Sequence, residues 1–439
     1  MNTDSGSAYL RRRLDGRDFT MAVIGIGRVG LPLALSFADH GVNVIGVDRN
    51  PDHVDTVNSG ILPFLEHGAE PLLKETLDLG TFRATTDSKA AVVSADVVIL
   101  TVGTPLDTNL RADTSQLISA LGEIGDSLKP NTLVITRSTI SPGTTERVVI
   151  PKLQELSGLT IGVDLFIAFC PERIAEGKAV EELRELPEII GGIDETSTEL
   201  AATVFGLLGE NKIIHRTDPL SAELAKLFTN VYRYVNFALA NEYALIAEHY
   251  QRDAHHIIRM LRDGYARAPI PLPGPAGGPC LSKDGYFLIE ELTFPDFVLT
   301  AWKLNDSVPA HLVQRLRNAV QRNGIDMEDT KVAVLGKAFK ADIDDDRLSP
   351  AVRVAELLER LGAQVAVHDP YLCDISLDEA LAGAHGVVLA TNHSMYYKLD
   401  MSRIAELVDP ECVLIDAWGV FDPKEAAEAG LELNTFGRG

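Results

Sequence analysis

The stretch between Phe19 and Asn50, FTMAVIGIGRVGLPLALSFADHGVNVIGVDRN, constrains this chain more than any other. A short apolar run, Met21 to Ile26, leads into Gly25, Gly27 and Gly30. Apolar positions at helical spacing follow, and a second apolar run, Val42 to Val47, ends at Asp48. Periodicity reads this as strand, glycine turn, helix, strand. In G-x-G-x-x-G at such a place the first glycine makes the tight turn. The second lets the backbone approach a pyrophosphate, and the third lets helix and strand pack closely. Free N–H groups at the helix N-terminus then face the phosphates. Asp48 follows Gly30 by 18 positions, where a carboxylate accepts ribose hydroxyls. The expectation is an NAD site formed by Gly25, Ile26, Gly27, Arg28, Val29, Gly30, Asp48 and Arg49. A carboxylate at 48 repels a 2′-phosphate, which favours NAD over NADP.

Further strand-like runs are Val97 to Val102, Leu133 to Thr136, Leu165 to Phe169 and Glu188 to Gly191, with helical segments between them. That alternation implies a parallel sheet with helices on both faces. Ligands bind such sheets at the C-terminal strand ends, so Val102, Gly103, Thr104, Ser138 and Thr139 join the expected cofactor contacts. From Pro219 to Tyr250 runs a helical stretch with no internal Gly or Pro, followed by the loop APIPLPGPAGGPC, which cannot be regular structure. A second α/β pattern begins near Lys331: KVAVLG, QVAVHDP, GVVLAT and VLIDAW read as strands. The fold class expected is α/β, two Rossmann-like doubly wound parallel-sheet domains joined by a long central helix. The divisions expected are 1–18, a flexible tail; 19–212, NAD-binding; 213–318, central helical, with the Cys280 loop; and 319–439, a C-terminal α/β domain.

The formal net charge of −23 argues against a nucleic-acid surface. An anionic ligand must then meet a local cluster of Lys and Arg. No apolar run reaches bilayer-spanning length, and the basic N-terminal stretch lacks an apolar core after it. Cys170, Cys280, Cys373 and Cys412 show no metal-site or disulfide spacing. A cytoplasmic setting without metal is expected, with one thiol kept for reactivity.

Chemistry-bearing residues gather at three places. On the long helix, Glu223, Lys226, Asn230, Arg233 and Asn241 fall on one face, among largely apolar neighbours. A polar stripe in a buried helix needs partners. Cys280 sits in Gly277-Gly278-Pro279-Cys280-Leu281-Ser282-Lys283-Asp284, where glycines permit close approach and Lys283 favours a thiolate or pairs with Asp284. After the Leu165–Phe169 run, Glu172 and Glu176 offer a base, or are surface carboxylates.

In order along the chain, GIGRVGLPLA, VGTP, STISPGTT, CPERIAEGKA, the helix stripe, GGPCLSKD and LGKAFKADIDDDRLSP resemble the UDP-glucose/GDP-mannose dehydrogenase family. The resemblance spans about Met21 to Trp418. It implies four-electron oxidation of a sugar CH2OH to a carboxylate with NAD, Cys280 being the covalent nucleophile. By the same resemblance Lys226 and Asn230 hold the sugar oxygen, Asp284 and Thr139 surround the catalytic water, and Glu172 is a base in thioester hydrolysis. Glu176, Lys283 and Arg347 are implied in cofactor contacts. Arg173, Ile174, Arg233, Arg267, Gly277, Lys340 and Arg347 are implied around the nucleotide sugar. Arg347 reaches the partner subunit of a homodimer. Ala276 and Ser282 depart from the family's usual loop. Cys170-Pro-Glu172-Arg173 and Leu-Pro-Gly-Pro resemble the branch acting on UDP-N-acetylhexosamines, whereas Lys283-Asp284 resembles the UDP-glucose and GDP-mannose branches. UDP-N-acetylmannosamine or UDP-N-acetylglucosamine is the expected substrate, with UDP-glucose the alternative. Rival readings are a single-step β-hydroxyacid dehydrogenase, which needs no Cys280, and a non-catalytic nucleotide-sugar-binding protein.

Overall fold

The computed structural model describes residues 6–439. It divides into two compact units, Met1–Thr229 with Tyr286–Glu291, and Asn230–Gly285 with Leu292–Gly439.

The first unit holds β1 (Thr20–Ile24), β2 (Asn43–Val47), β3 (Phe82–Thr85), β4 (Val97–Leu100), β5 (Thr132–Thr136), β6 (Leu165–Phe169), β7 (Glu188–Gly192) and β8 (Ile214–Thr217). They form one eight-stranded sheet in the order β3-β2-β1-β4-β5-β6-β7-β8. Neighbours are parallel except β6 and β7, which run antiparallel. The central strands are almost wholly buried and largely apolar because both faces are covered. Side chains alternate across the sheet. Met21 and Val23 therefore join Leu31, Phe37 and Ile99 on one face. Ala22 and Ile24 join Val98, Leu117 and Val134 on the other. The order reverses at β1/β4, which places a crevice above Gly25 and Thr101.

The expected flexible tail is corrected within residues 6–18. Gly6–Asp15 is a helix whose Leu10 and Leu14, one turn apart, are fully buried in the same core as Phe19. Arg13 pairs with Asp96 at 3.2 Å. A leucine pair on one helical face outweighs the polar average of the segment. Residues 1–5 of that expected tail lie outside the described residues.

The second unit holds β9 (Lys331–Leu335), β10 (Gln364–His368), β11 (Gly386–Leu389), β12 (Val413–Asp416) and β13 (Glu432–Thr435). They make an all-parallel sheet in the order β10-β9-β11-β12-β13. A second long helix, Asp296–Arg322, buries Val308, Leu312, Leu316 and Ala319 against Val332 and Val334. The long helix itself runs Pro219–His249. Among the described residues no helix is long and apolar enough to cross a membrane.

Candidate active site

The glycine turn is shaped from below. Gly25 has φ +93°, and a side chain at Gly30 would collide with the Gly25 carbonyl oxygen. A side chain at Gly27 would meet nothing within 4 Å. The turn is therefore closed on the helix side and open on the ligand side. His53 Nε2 donates to the Ile26 carbonyl at 2.8 Å, which steadies the turn. A cavity of about 270 Å3 is lined by Gly25, Gly27, Asp48, Arg49, Thr101, Val102 and Gly103. These residues fit a dinucleotide: an open glycine, helix N–H groups and a carboxylate at the next strand end.

Other expected cofactor residues stand around this cavity rather than in it. Ile26 and Gly30 are buried beneath the turn. Val29 caps the helix Gly30–Asp39, and the Arg28 guanidinium lies 5.2 Å from the Phe64 ring centre. The Ser138 hydroxyl donates to the Val102 carbonyl at 2.6 Å and that of Thr104 to the Thr139 carbonyl at 2.5 Å. These two hydroxyls stitch the ends of β4 and β5 together.

Glu172 is held within a buried ion cluster. Arg137 Nε lies 2.6 Å from Glu172 Oε2 and Arg137 Nη1 2.9 Å from Glu188 Oε1. Arg137 also faces the Phe205 ring at 4.8 Å. Glu172 Oε1 accepts the Arg173 and Ile174 amides at 2.7 and 2.9 Å. Burial pushes the Glu172 carboxyl up, but Arg137 and the amides outweigh it and hold it below the ordinary carboxylate range. Burial dominates at Glu188 and raises it. Sequence reading missed Arg137; its only signal was a lone cation before Ser138-Thr139. The Arg173 guanidinium turns to the Pro187 carbonyl. Ile174 and Glu176 are half-buried beyond it.

The helix stripe splits by role. The buried Glu223 accepts from the Gly143 amide at 2.5 Å and from the Thr145 amide and hydroxyl at 2.9 and 2.6 Å. It pins the STISPGTT loop. The buried Asn241 accepts from the Gly274 amide at 2.9 Å and donates to Asn305 at 3.0 Å, which pins the Pro/Gly loop. Lys226 and Asn230, one turn apart, are buried. Arg233 is exposed.

In the second unit Cys280 immediately precedes the helix Leu281–Ile289. Its carbonyl accepts the Lys283 and Asp284 amides at 3.3 and 3.1 Å, so the cysteine occupies the helix N-cap. That end carries partial positive charge, which favours an anionic sulfur. Asp284, fully buried in the first turn, accepts from Asn230 at 2.6 Å and from Lys283 at 2.9 Å. Trp302 donates to the Ser282 carbonyl at 2.9 Å, stacks edgewise on Tyr234 at 4.5 Å and presses on Gly285. The Tyr234 hydroxyl donates to the Ala276 carbonyl at 3.5 Å, so the departures Ala276 and Ser282 both lie within this supporting shell. Gly277 lies against Pro350. Cys280 is exposed, whereas Cys170 and Cys412 are buried and Cys373 half-buried. Burial raises the Cys170 and Cys373 thiols and pushes Cys412 up to about 12.

Farther along, Lys340 is half-buried. Arg347 Nε donates to both Asp345 oxygens at 2.9 Å, while its side chain stays 57% exposed. Arg267 is exposed, with its guanidinium 4.8 Å from the Tyr265 ring centre.

The UDP-glucose/GDP-mannose dehydrogenase family matches the chain in three parts: its NAD binding domain at residues 19–208, its central domain at 220–308 and its UDP binding domain at 333–423. UDP-N-acetyl-D-mannosamine dehydrogenase of Pyrococcus horikoshii is 34% identical over 95% of this chain and 99% of that protein. The solved structure of the P. horikoshii enzyme superposes with a TM-score of 0.90 at 33% identity, over 96% of this chain and 99% of that one. NDP-N-acetyl-D-galactosaminuronic acid dehydrogenase of Ralstonia nicotianae is 31% identical over 93% of this chain and 97% of that protein. With the glycine cradle and the capped cysteine in place, the conclusion is that this chain belongs to the UDP-glucose/GDP-mannose dehydrogenase family, the NAD-dependent nucleotide-sugar dehydrogenases.

Proposed function

We propose that the chain oxidises the C6 hydroxymethyl of a UDP-N-acetylhexosamine to a carboxylate, UDP-N-acetyl-D-mannosamine being the first candidate. The observation that carries this reading is Cys280 at a helix N-cap, one turn from the buried Asn230–Asp284 pair and its partner Lys283. The sugar preference follows the relatives named above, both of which are named for N-acetylated sugars.

NAD+ held by the glycine cradle and Asp48 supplies the hydride acceptor. The chain's own residues do the rest. Removal of a proton and a hydride turns the alcohol into an aldehyde. The Cys280 thiolate adds to the aldehyde carbon and gives a thiohemiacetal. Loss of a second proton and hydride leaves a thioester, and water releases the carboxylate and the thiol. Lys226 and Asn230 stabilise the oxyanion at each stage. Asp284, buried and clamped by two donors, holds the water with Thr139. Glu172 stays ionised on Arg137 and serves the hydrolytic step as an acceptor. Trapping the aldehyde keeps a reactive species out of solvent.

Nucleotide contacts fall to Arg173, Ile174, Arg233, Arg267, Gly277, Lys340 and Arg347, of which the four arginines and Lys340 supply positive charge on a strongly acidic chain. Glu176, Lys283 and Arg347 serve the cofactor end. The molecule works as a homodimer, with Arg347 reaching the partner's site. An apolar groove of about 360 Å3 on the second unit supports this, lined by Tyr243, Ile246, Tyr250, Ile257, Ile258 and Leu261. Tyr250 within the groove is 67% exposed and Met260 on the neighbouring helix 56%, and exposed apolar patches mark interaction surfaces.

The test is NADH formation across UDP-N-acetylmannosamine, UDP-N-acetylglucosamine, UDP-glucose, UDP-galactose and GDP-mannose. The reading predicts the highest kcat/KM on an N-acetylated sugar. A higher value on UDP-glucose would overturn the sugar assignment.

A further inference from the structure

Within the second unit the loop after β9 leans directly on the cysteine loop. Gly278, two residues before Cys280, has φ +95°, and a side chain there would collide with the Phe339 ring. The Gly278 amide donates to the Leu348 carbonyl at 3.0 Å, and Gly277 is closed off by Pro350 and that same carbonyl. The cysteine loop thus has one seat, and Phe339 forms its floor.

Phe339 is itself held from both ends of its loop. Lys337 and Ala338 donate their amides to Asp369 Oδ2 at 2.6 and 3.0 Å. His393 Nε2 lies 3.0 Å from the same oxygen, and His393 Nδ1 accepts the Asp342 amide at 2.9 Å. The ring is therefore neutral, with its proton on Nε2. Both Asp369 and His393 are fully buried. The Thr391 hydroxyl donates to the Ala338 carbonyl at 2.6 Å, and the Phe339 amide to the Asp345 carbonyl at 2.9 Å. The contrast with β1 is informative. There the turn stays open at Gly27. After β9 an internal carboxylate takes the turn amides that a phosphate would otherwise take, so this turn is built to be rigid rather than to cradle a second dinucleotide.

We propose that Phe339 is a positioning residue that seats the Gly277–Cys280 loop, so that a nucleotide bound to the C-terminal domain sets where the Cys280 thiol stands. This rests on the reading that residues 333–423 take the UDP end of the substrate while Cys280 takes the sugar. Phe339 acts through the loop and performs no step of the reaction.

The experiment follows alkylation of Cys280 by iodoacetamide, resolved by peptide mass spectrometry, with and without saturating UDP. UDP lacks the sugar and leaves the space before the thiol open. UDP is expected to slow alkylation in the unsubstituted protein at least about fivefold, a coupling of ordinary size. In F339A the two rates should coincide although calorimetry still detects UDP, while NAD+ affinity, set by the glycine cradle of the first unit, stays within about twofold of the parent. F339L, which keeps bulk at the contact, should recover part of the response. It also serves as the test should F339A not fold. Retention of the full UDP response in F339A or F339L would overturn the proposal, as would its absence in the parent despite bound UDP. Failure of UDP to bind the parent at all would instead refute the reading of the C-terminal domain.

Discussion

Asn230 donates to Asp284 across 2.6 Å, with both side chains buried and Lys283 on the other carboxylate oxygen. The helix stripe and the cysteine helix meet at this bond. In D284N one of the two clamps faces an amide N–H in place of an oxygen. Leaving a buried donor unsatisfied costs about 1–3 kcal/mol, measurable by urea unfolding. If Asp284 holds the catalytic water as proposed, loss of its carboxylate should lower kcat about a hundredfold. A kcat within a factor of a few of the parent would remove Asp284 from the mechanism.

Gly27 and Gly30 should separate binding from folding. G27A places a methyl in open space on the ligand side, so the melting temperature should hold while NAD+ binds at least about tenfold more weakly, about 1.4 kcal/mol. G30A drives a methyl into the Gly25 carbonyl, an overpacking expected to cost about 1–3 kcal/mol or more. Isothermal titration and thermal melts on both variants check the pair. Equal melting temperatures for the two would contradict the geometry.

What the sequence revealed and what it hid have physical causes. The β1–β2 unit was legible because buried parallel strands are continuously apolar and the glycines are local. β3 (FRAT) and β8 (IHRT) escaped because edge strands are short and carry exposed polar positions. The helix Gly6–Asp15 escaped because two leucines, not composition, decide it. At the site the motifs around Cys280 and Asp48 were plain, whereas Glu223 and Asn241 read only as members of a polar stripe whose partners were not named. Those partners are the 143–145 and 274 loops. Helical spacing gives a shared face but not what each loop brings to it. Arg137 was hidden for the same reason, since Glu188 lies 51 residues away in sequence.

The Glu172–Arg137–Glu188 cluster predicts a pH dependence. Burial raises the Glu188 carboxyl, so its contribution to stability is fully present below the unfolded value, about 4.3. It is lost as pH rises through the folded value. E188Q cannot ionise and escapes that loss. Its stability relative to the parent should therefore climb from pH 4 to pH 8, followed by denaturant midpoints at each pH. A gap that stays flat or narrows would show that Glu188 is not raised. Glu172, held low by Arg137, runs the opposite way and loses its contribution only in acid.

Ile246 is 45% exposed on the long helix beside Tyr243 and Tyr250. If this face is covered by a second copy, I246E brings a charge into the apolar contact and light scattering should report half the parent mass. Circular dichroism should be unchanged, because the position is solvent-facing in the single chain. An unaltered mass would move the dimer contact elsewhere.

The central claim is that Cys280, capping its helix, carries the sugar between two oxidations. The most direct measurement is NADH formed per nucleotide sugar consumed, in the parent and in C280A. The account predicts two NADH per sugar for the parent, and for C280A a stall at the aldehyde with no carboxylate formed. One NADH per sugar in the parent, or undiminished carboxylate formation in C280A, would contradict it.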